Sequence, residues 1–405
     1  MHLPQSLSAA MAMTVLLAVA APARAQDVPA PEDAARFRFG PIRFTPVLTI
    51  TQVGVDTNVF NEADNPKQDT TAAFGPRADY WIKLGRARVI GQTGVEYFYF
   101  REYDTQRSFG TVNRARVEVQ FARLVPFVGG EYINTRQRPG YEIDARARRT
   151  LSGGRAGVDV LLGGRTTLRA AAGTDRHRFS SEDSFLGASL SERLDRDSDL
   201  FQLSFRRELT PLTTWVVVAE EQQDRFLYTP VRDADGLRVA TGFEFKPFAV
   251  ISGKGLVGYR HFDTLSPVTP DYAGIVASAD LAYVLRATRI TGRIERDVTY
   301  SFEALEPYYL LTDVGTSVTQ RLTSRWDVVG RVARQVLDYQ AVGLLTAPEH
   351  TDRVTQFGGG VGCHLGEIVR LGFDVDYYTR RSPISNRRYE GWRGGLSITY
   401  GIKTP

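Results

Sequence analysis

Cysteine, methionine and long apolar runs are scarce in this 405-residue sequence. It contains one cysteine, Cys363, and three methionines, so no intramolecular disulfide can stabilise the fold. Beyond Ala25, no apolar run approaches the roughly 18–20 residues that a membrane-spanning helix needs. Stability must therefore come from a packed core or from extensive sheet hydrogen bonding, and any passage through a membrane must use strands.

A large excess of charge is also missing. The sequence has 50 basic and 46 acidic residues, which gives a formal net charge of +4. This near-balance excludes the strongly basic surface that is typical of nucleic-acid-binding proteins. Lysine is rare, so arginine supplies nearly all of the positive charge. Arginine makes planar, bidentate contacts with carboxylates and phosphates, and a channel lined with it is expected to prefer anions weakly.

The N-terminal region predicts export from the cytoplasm. A short apolar run, Ala9 to Ala21, precedes the small-x-small sequence Ala23-Arg24-Ala25, which is typical of a signal-peptidase site. We therefore expect residues 1–25 to be a cleavable signal peptide. Residues 26–42 are rich in proline and acidic residues and show no strand pattern, which predicts a flexible periplasmic segment.

From residue 43 to residue 403, apolar and polar residues alternate. In 368–380, for example, Val369, Leu371 and Phe373 share one face of a predicted strand. The alternating segments are about 12–17 residues long, whereas strands of soluble proteins usually have about five or six. Short and long connections also alternate, and aromatic residues cluster at both ends of the segments. These features are typical of a transmembrane β-barrel.

The predicted fold is therefore all-β, an antiparallel up-and-down barrel that occupies residues 43–403. Counting the segments gives about 18 strands, with 16 as the alternative, and an even number places both termini in the periplasm. At this size a barrel is wide enough for an aqueous channel. Arg296 breaks the pattern, because it is in register with apolar residues; a bulge or a position near the membrane interface would accommodate it.

The polar face of the strands carries both charge signs and predicts the wall of a pore. The candidate pore-lining residues are Arg114, Arg116, Glu118, Arg206, Glu208, Arg289, Arg293, Glu295, Asp297, Arg331, Arg370, Asp374, Asp376 and Arg393. In the alternative interpretation, the same charges pair with one another and fill a closed interior. A third arrangement has the lumen plugged by long loops such as residues 180–195.

One short motif resembles a known family. The stretch Gly54-Val55-Asp56-Thr57-Asn58-Val59-Phe60 is similar to the signature that ends the first strand in a family of outer-membrane β-barrel porins, the beta-barrel porin type 2 group. Members are often associated with loci for exopolysaccharide synthesis and export. The resemblance implies structural roles at the strand–loop junction for Gly54, Asp56, Asn58 and Phe60.

Taken together, these features predict a protein of the outer membrane of a Gram-negative bacterium. We expect a passive channel, with saccharide or exopolysaccharide as the solute that the family resemblance implies. The alternative is a plugged barrel with a structural or surface-binding role. We expect no enzymatic activity, no cofactor, no metal and no nucleic acid. The expected partners are outer-membrane lipid, lipopolysaccharide, the barrel-assembly machinery and periplasmic components of polysaccharide export.

Overall fold

The barrel consists of eighteen long antiparallel strands in a computed structural model that describes residues 31–247, 249–343 and 350–401. The predicted signal peptide, residues 1–25, lies outside the described residues. The strands are β1 (Ile42–Asp56), β2 (Asp69–Leu84), β3 (Ala87–Phe100), β4 (Ser108–Val119), β5 (Leu124–Gln137), β6 (Ala147–Gly163), β7 (Thr166–Phe179), β8 (Arg196–Thr210), β9 (Thr213–Phe226), β10 (Ala234–Phe245), β11 (Ile251–Thr264), β12 (Tyr272–Leu285), β13 (Thr288–Tyr300), β14 (Tyr308–Arg321), β15 (Trp326–Gln340), β16 (Thr351–Leu365), β17 (Val369–Arg381) and β18 (Tyr389–Tyr400).

The sheet closes on itself. Each strand pairs with the next, and β18 pairs with β1 from Leu48 opposite Tyr400 to Asp56 opposite Arg393. A bulge at Gln52, which has a φ of 57°, interrupts the register of β1 with both of its neighbours. Closure gives every strand a partner on both sides and so leaves no free sheet edge along most of the wall. The predicted barrel with 18 strands is confirmed.

Alternation along the strands separates an apolar outer face from a polar inner face. In β18, Leu396 on the outer face is 57% exposed. In a membrane this exposed apolar surface would contact lipid. Arg393 on the inner face instead bonds to Asp56 of β1. The connections alternate in length as expected: the short turns all lie at one rim, together with the two ends of the barrel sheet, and the longer loops lie at the other.

The segment before the barrel differs from the expectation of a flexible segment without strand structure. Of residues 26–42, those from residue 31 are described, and they fold against the short-turn rim. Phe37–Phe39 forms a short strand that pairs with the start of β1. Glu32, in a 3-10 turn at Pro31–Ala34, pairs with Arg88 on the inner face of β3 at 3.2 Å. The turn therefore lies at the mouth of the lumen.

The wall is incomplete between β12 and β13. Their ladder begins only at Ala277 opposite Arg296, so the strands diverge toward the long-loop rim. Arg296 lies at this fork, where its Nε donates to the backbone oxygen of Ile275 at 3.3 Å. Of the two explanations expected for Arg296, the bulge is wrong, because the register of β13 with both neighbours is regular; a position near the membrane interface stays a prediction. The fork supplies the backbone acceptor that the guanidinium needs.

Among the residues that the structure describes, helical structure is confined to short segments. The loop between β7 and β8 contains a two-stranded hairpin and one α-helix, α1 (Leu190–Leu194). Within the described part of the chain, no helix is both long enough and apolar enough to span a membrane.

Candidate functional site: the lumen wall and the loops that enter it

The structure places all fourteen predicted wall residues on the inner face of the barrel, where most of them form ion pairs with neighbouring strands. Arg331 of β15 pairs with Asp374 and Asp376 of β17, at 3.1 Å and 2.6 Å. In the opposite direction, Arg370 of β17 pairs with Asp327 of β15 at 2.7 Å. These contacts pass over the intervening strand β16, so the charged side chains lie along the wall.

Glycine makes this arrangement possible. The inner face of β16 carries Gly358, Gly360 and Gly362 below these ion pairs. A β-carbon at Gly358 would lie 1.9 Å from the Asp376 carboxylate and 2.5 Å from Arg331 Nε. Any larger residue would therefore push the ion pairs into the lumen. The run of glycines is a packing feature, as its position within a strand indicates.

The other predicted residues form similar groups. Arg116 lies between Glu118 and Asp159, and Asp159 also binds Arg169 in a bidentate contact. Each of the remaining predicted residues except one pairs with a group of opposite charge: Arg114 with Glu131, Arg206 with Glu244, Glu208 with Lys246, Arg293 with Glu295, Asp297 with Arg260 and Arg393 with Asp56. Arg289 is the exception, since no hydrogen bond or ion pair reaches it from the described residues.

The family motif closes the seam of the barrel. Asp56 accepts hydrogen bonds from Arg393 and from the hydroxyl of Tyr378. Asn58 donates to the backbone oxygens of Glu62 and Glu390, so it joins its own loop to the start of β18. Phe60 packs edge-on against Tyr103. At Gly54 a β-carbon would lie 2.0 Å from the backbone oxygen of Gly394, so this position requires glycine.

A loop from one side of the barrel crosses the lumen to the other. This crossing loop, residues 138–146, connects β5 to β6. Tyr141 donates to Asp313 of β14 at 2.9 Å, and burial beside that carboxylate raises the pKa of Tyr141 to about 12. Asp144 accepts from Arg380 of β17 at 2.8 Å. Arg380 also binds Asp352, and its side chain is 0% exposed. The crossing loop is thus held to the opposite wall by buried charge pairs.

A second loop enters the lumen beside the first. This tip loop, residues 301–307, joins β13 to β14 beyond the fork. Glu142 of the crossing loop accepts from the Ser301 hydroxyl at 2.5 Å and from the Phe302 amide at 3.1 Å. Arg232 donates to three backbone oxygens of the tip loop, those of Ser301, Glu303 and Pro307. Arg387 pairs with Glu303 at 2.5 Å.

Apolar packing joins the two loops to the loop between β7 and β8. Phe302 is buried among Ile143, Leu190 and Leu194. The predicted plug, residues 180–195, therefore contributes to the cover of the lumen. The crossing loop and the tip loop extend further across it, and sequence reasoning missed them both. Arg380 was also missed, although its phase in β17 matches that of Asp374 and Asp376.

The lumen contains cavities, and two of them bear on the proposed path of a solute. The larger, about 640 Å³, is bounded by the crossing loop and by the inner faces of strands β12 to β18, including Arg331, Gln356 and Tyr378. The smaller, about 390 Å³, is lined by Arg77, Phe98 and other inner-face residues of β1 to β4. Among the described residues, no cluster of histidine, cysteine, aspartate or glutamate is arranged to hold a metal ion.

Comparison with known proteins identifies the family. The family described as "Putative beta-barrel porin 2" matches residues 128–401. The chain belongs to this family. It is an outer-membrane barrel of the porin type from a Gram-negative bacterium, which confirms the predicted resemblance and location. A search of curated protein sequences finds no match.

Several solved porin structures are similar in fold. OccAB3 of Acinetobacter baumannii is 11% identical, covers 89% of this chain and 99% of its own, and has a TM-score of 0.47. A BenF-like porin from Pseudomonas fluorescens Pf-5 is 10% identical over 89% and 99%, with a TM-score of 0.48. The protein opdK of Pseudomonas aeruginosa is 7% identical over 89% and 98%, with a TM-score of 0.47.

Proposed function

We propose that this porin-type barrel is a passive channel for saccharides, including chains of exported polysaccharide, and acts without catalysis. The observation that carries the proposal is the structure of the inner wall. Charges of both signs form ion pairs along this wall, and the glycines beneath some of them allow the charged side chains to lie close to the sheet. Such a wall is polar and nearly neutral. A hydrated, hydroxyl-rich chain can exchange hydrogen bonds with it without being trapped by a strong field of one sign. The choice of saccharide rests on the family's association with exopolysaccharide loci.

The expected partners follow from the same role. A barrel of this kind requires the assembly machinery for insertion and contacts lipopolysaccharide on its outer face. If the short-turn rim faces the periplasm, periplasmic components of polysaccharide export would meet the folded segment at Pro31–Ala34 and Phe37–Phe39. Crosslinking from this rim in cells is the direct measurement of that contact.

A specific observation favours the second candidate, a plugged barrel that serves as a structural or surface-binding protein. The crossing loop is attached to the wall by buried ion pairs, the tip loop is held by Arg232 and Arg387 of neighbouring loops, and the two loops bury apolar side chains against each other. Such contacts hold loops in place. The two candidates differ in whether ions pass the loops while these contacts are intact.

Recordings of single barrels in planar lipid bilayers test the proposal. Stable, discrete conductance steps with weak anion preference are expected, and neutral oligosaccharides should enter liposomes that carry the protein. A wild-type protein that inserts and stays silent, while a variant without the crossing loop conducts, would establish the plugged alternative. Strong cation preference would contradict the role expected for the arginines.

A further inference from the structure

Arg146, at the end of the crossing loop, differs from the paired arginines of the wall. Within the described residues it makes no hydrogen bond and no ion pair. Its guanidinium instead lies over two rings of β3, 4.5 Å from the ring centre of Phe100 and 6.0 Å from that of Phe98. Aromatic faces hold a cation in place without neutralising it. The side chain is therefore positioned but keeps its hydrogen-bond donors free.

The surroundings of Arg146 carry an excess of positive charge. Arg136 donates to the backbone oxygen of Thr105, and Arg138 donates to those of Asp144 and Val59, so neither bonds to a carboxylate. The charges of Arg138, Arg393 and Arg136 act unfavourably on Arg146, and Asp56, which pairs with Arg393, offsets them only in part. Burial and this repulsion lower the pKa of Arg146 to about 9, which leaves it protonated at neutral pH. An incoming anion would relieve the repulsion.

The position of this cluster gives solutes access to it. Arg138 lines the larger cavity, and Phe98 lines the smaller one. Arg146 lines neither cavity itself, but its guanidinium lies over Phe98 of the smaller cavity and close to Arg138 of the larger one, so both cavities border the cluster. Elsewhere on the wall, arginines such as Arg331 and Arg370 already hold carboxylates of the chain.

We propose that Arg146 and Arg138 form a subsite for a carboxylate group of an acidic saccharide inside the lumen. The planar guanidinium of Arg146 would donate two parallel hydrogen bonds to the two oxygens of the carboxylate in a bidentate contact. The inference rests on the proposed saccharide function and names the class of sugar that the channel retains. A phosphate ion offers similar negatively charged oxygens to the two arginines. The experiment therefore compares an acidic saccharide with free phosphate.

Calorimetric titration of the purified barrel in detergent tests the subsite without requiring conductance. The probes are hexagalacturonate, maltohexaose as the neutral sugar of equal length, and inorganic phosphate. Wild-type protein is expected to bind hexagalacturonate more tightly than maltohexaose or phosphate, and more weakly as salt is added. Arg146→Gln should weaken hexagalacturonate binding by about tenfold and leave maltohexaose unchanged. Arg146→Lys keeps the positive charge but lacks the planar guanidinium. Its affinity for hexagalacturonate should therefore lie between those of the wild type and Arg146→Gln.

Arg289→Gln is the matched control. Arg289 is also an inner-face arginine whose side chain forms no hydrogen bond or ion pair with the described residues, but it lies on β13, and its loss should leave hexagalacturonate binding unchanged. Equal binding by the wild type and Arg146→Gln, or equal losses in the two glutamine variants, would overturn the subsite. Phosphate binding as tight as that of hexagalacturonate would overturn the saccharide assignment.

Heat-modifiable migration of each variant on gels shows that its barrel is folded. Conductance, measured separately, decides the channel function. A silent barrel that still binds hexagalacturonate through Arg146 would sustain the subsite and reject the channel.

Discussion

The wall of the barrel and the loops inside it use charge in opposite ways. On the wall, ion pairs such as Arg331 with Asp374 remain partly exposed, with side chains that are 34% and 21% exposed. Where the crossing loop is anchored, Arg380 of β17 and Asp352 of β16 are completely buried. Hydrogen bonding of the sheet holds the wall together whether or not its charges pair. The loops lack such a ladder, so their position depends on side-chain contacts. Changes in the loops should therefore have larger effects than changes in the wall.

The largest effect is expected from removing the crossing loop. Replacing residues 139–145 with two glycines removes the segment that spans the lumen and leaves every strand intact. Single-channel conductance should rise by at least about twofold, because the narrowest part of the path widens. The same replacement of residues 181–187, in the loop between β7 and β8, is the control and should change conductance less. Equal effects of both replacements would show that the crossing loop is not the constriction.

The second effect concerns the buried anchor of that loop. Arg380→Met leaves the carboxylates of Asp144 and Asp352 buried without their cation, which should lower the free energy of unfolding by about 3–5 kcal/mol. Arg293→Met removes a wall arginine whose side chain is 57% exposed, and its cost should stay below about 1 kcal/mol. Denaturant titration of both variants, followed by tryptophan fluorescence, measures the difference. Similar costs would contradict the distinction between loops and wall.

The third effect is a pH dependence of the loop contacts. Burial raises the pKa of Glu142 to about 7 from an ordinary value of 4.5, against hydrogen bonds from Ser301 and Phe302 and the charge of Arg387, whereas Glu303 acts in the same direction as burial. A raised folded-state pKa means that the folded loops bind more protons than the unfolded loops between pH 4.5 and pH 7. The contribution of Glu142 is therefore complete below pH 4.5 and is lost as pH rises to about 7.

Channel noise should report this change. Between pH 5 and pH 8, current fluctuations from movement of the two loops should increase as Glu142 ionises. Arg387, Glu303 and Arg232 are the charged groups around it. Glu142→Gln should abolish the pH dependence, whereas Glu295→Gln, on the exposed wall, should preserve it. Fluctuations that fall with rising pH would contradict the assignment.

The smallest effect on the free energy of unfolding is expected for a substitution in the wall. Such a substitution should instead change the ion selectivity of the channel. Arg331→Ala leaves Asp374 and Asp376 unpaired but partly solvated, so the cost in unfolding free energy should be below about 1 kcal/mol. The reversal potential in a salt gradient should shift toward cations. Adding Asp376→Asn to the same variant should shift the reversal potential back toward the wild-type value. An unchanged reversal potential would place these residues away from the conduction path.

Much of the wall could be predicted from the sequence, because its pattern is local. Alternation of Val369, Leu371 and Phe373 with Arg370 and Asp374 follows from the pleat of a single strand. The same reasoning placed the fourteen candidate residues on one face. Arg296 shows the limit of such reasoning. This charged residue is tolerated on the apolar face because β12 diverges from β13, and that divergence cannot be predicted from the sequence of either strand alone.

The loops could not be predicted in the same way. Glu142 and Ser301 are 159 positions apart, yet they share a hydrogen bond in the middle of the lumen. The crossing loop is shorter than the predicted plug at 180–195, so loop length pointed to the less intrusive segment. Arg146 had no signal in the sequence, since its character comes from neighbours that only folding brings together: two aromatic rings and several arginines, with no ion pair to Arg146 from the described residues.

The sequence by itself determined a closed sheet with a lipid-facing side and a polar side, because a period of two residues and the need to pair every backbone group allow no other solution in a membrane. The tertiary structure alone decided which loops enter the lumen, where the wall forks and which arginines remain without a carboxylate. These features arise from contacts between segments far apart in the chain, and their energies depend on burial and distance, which no local pattern records.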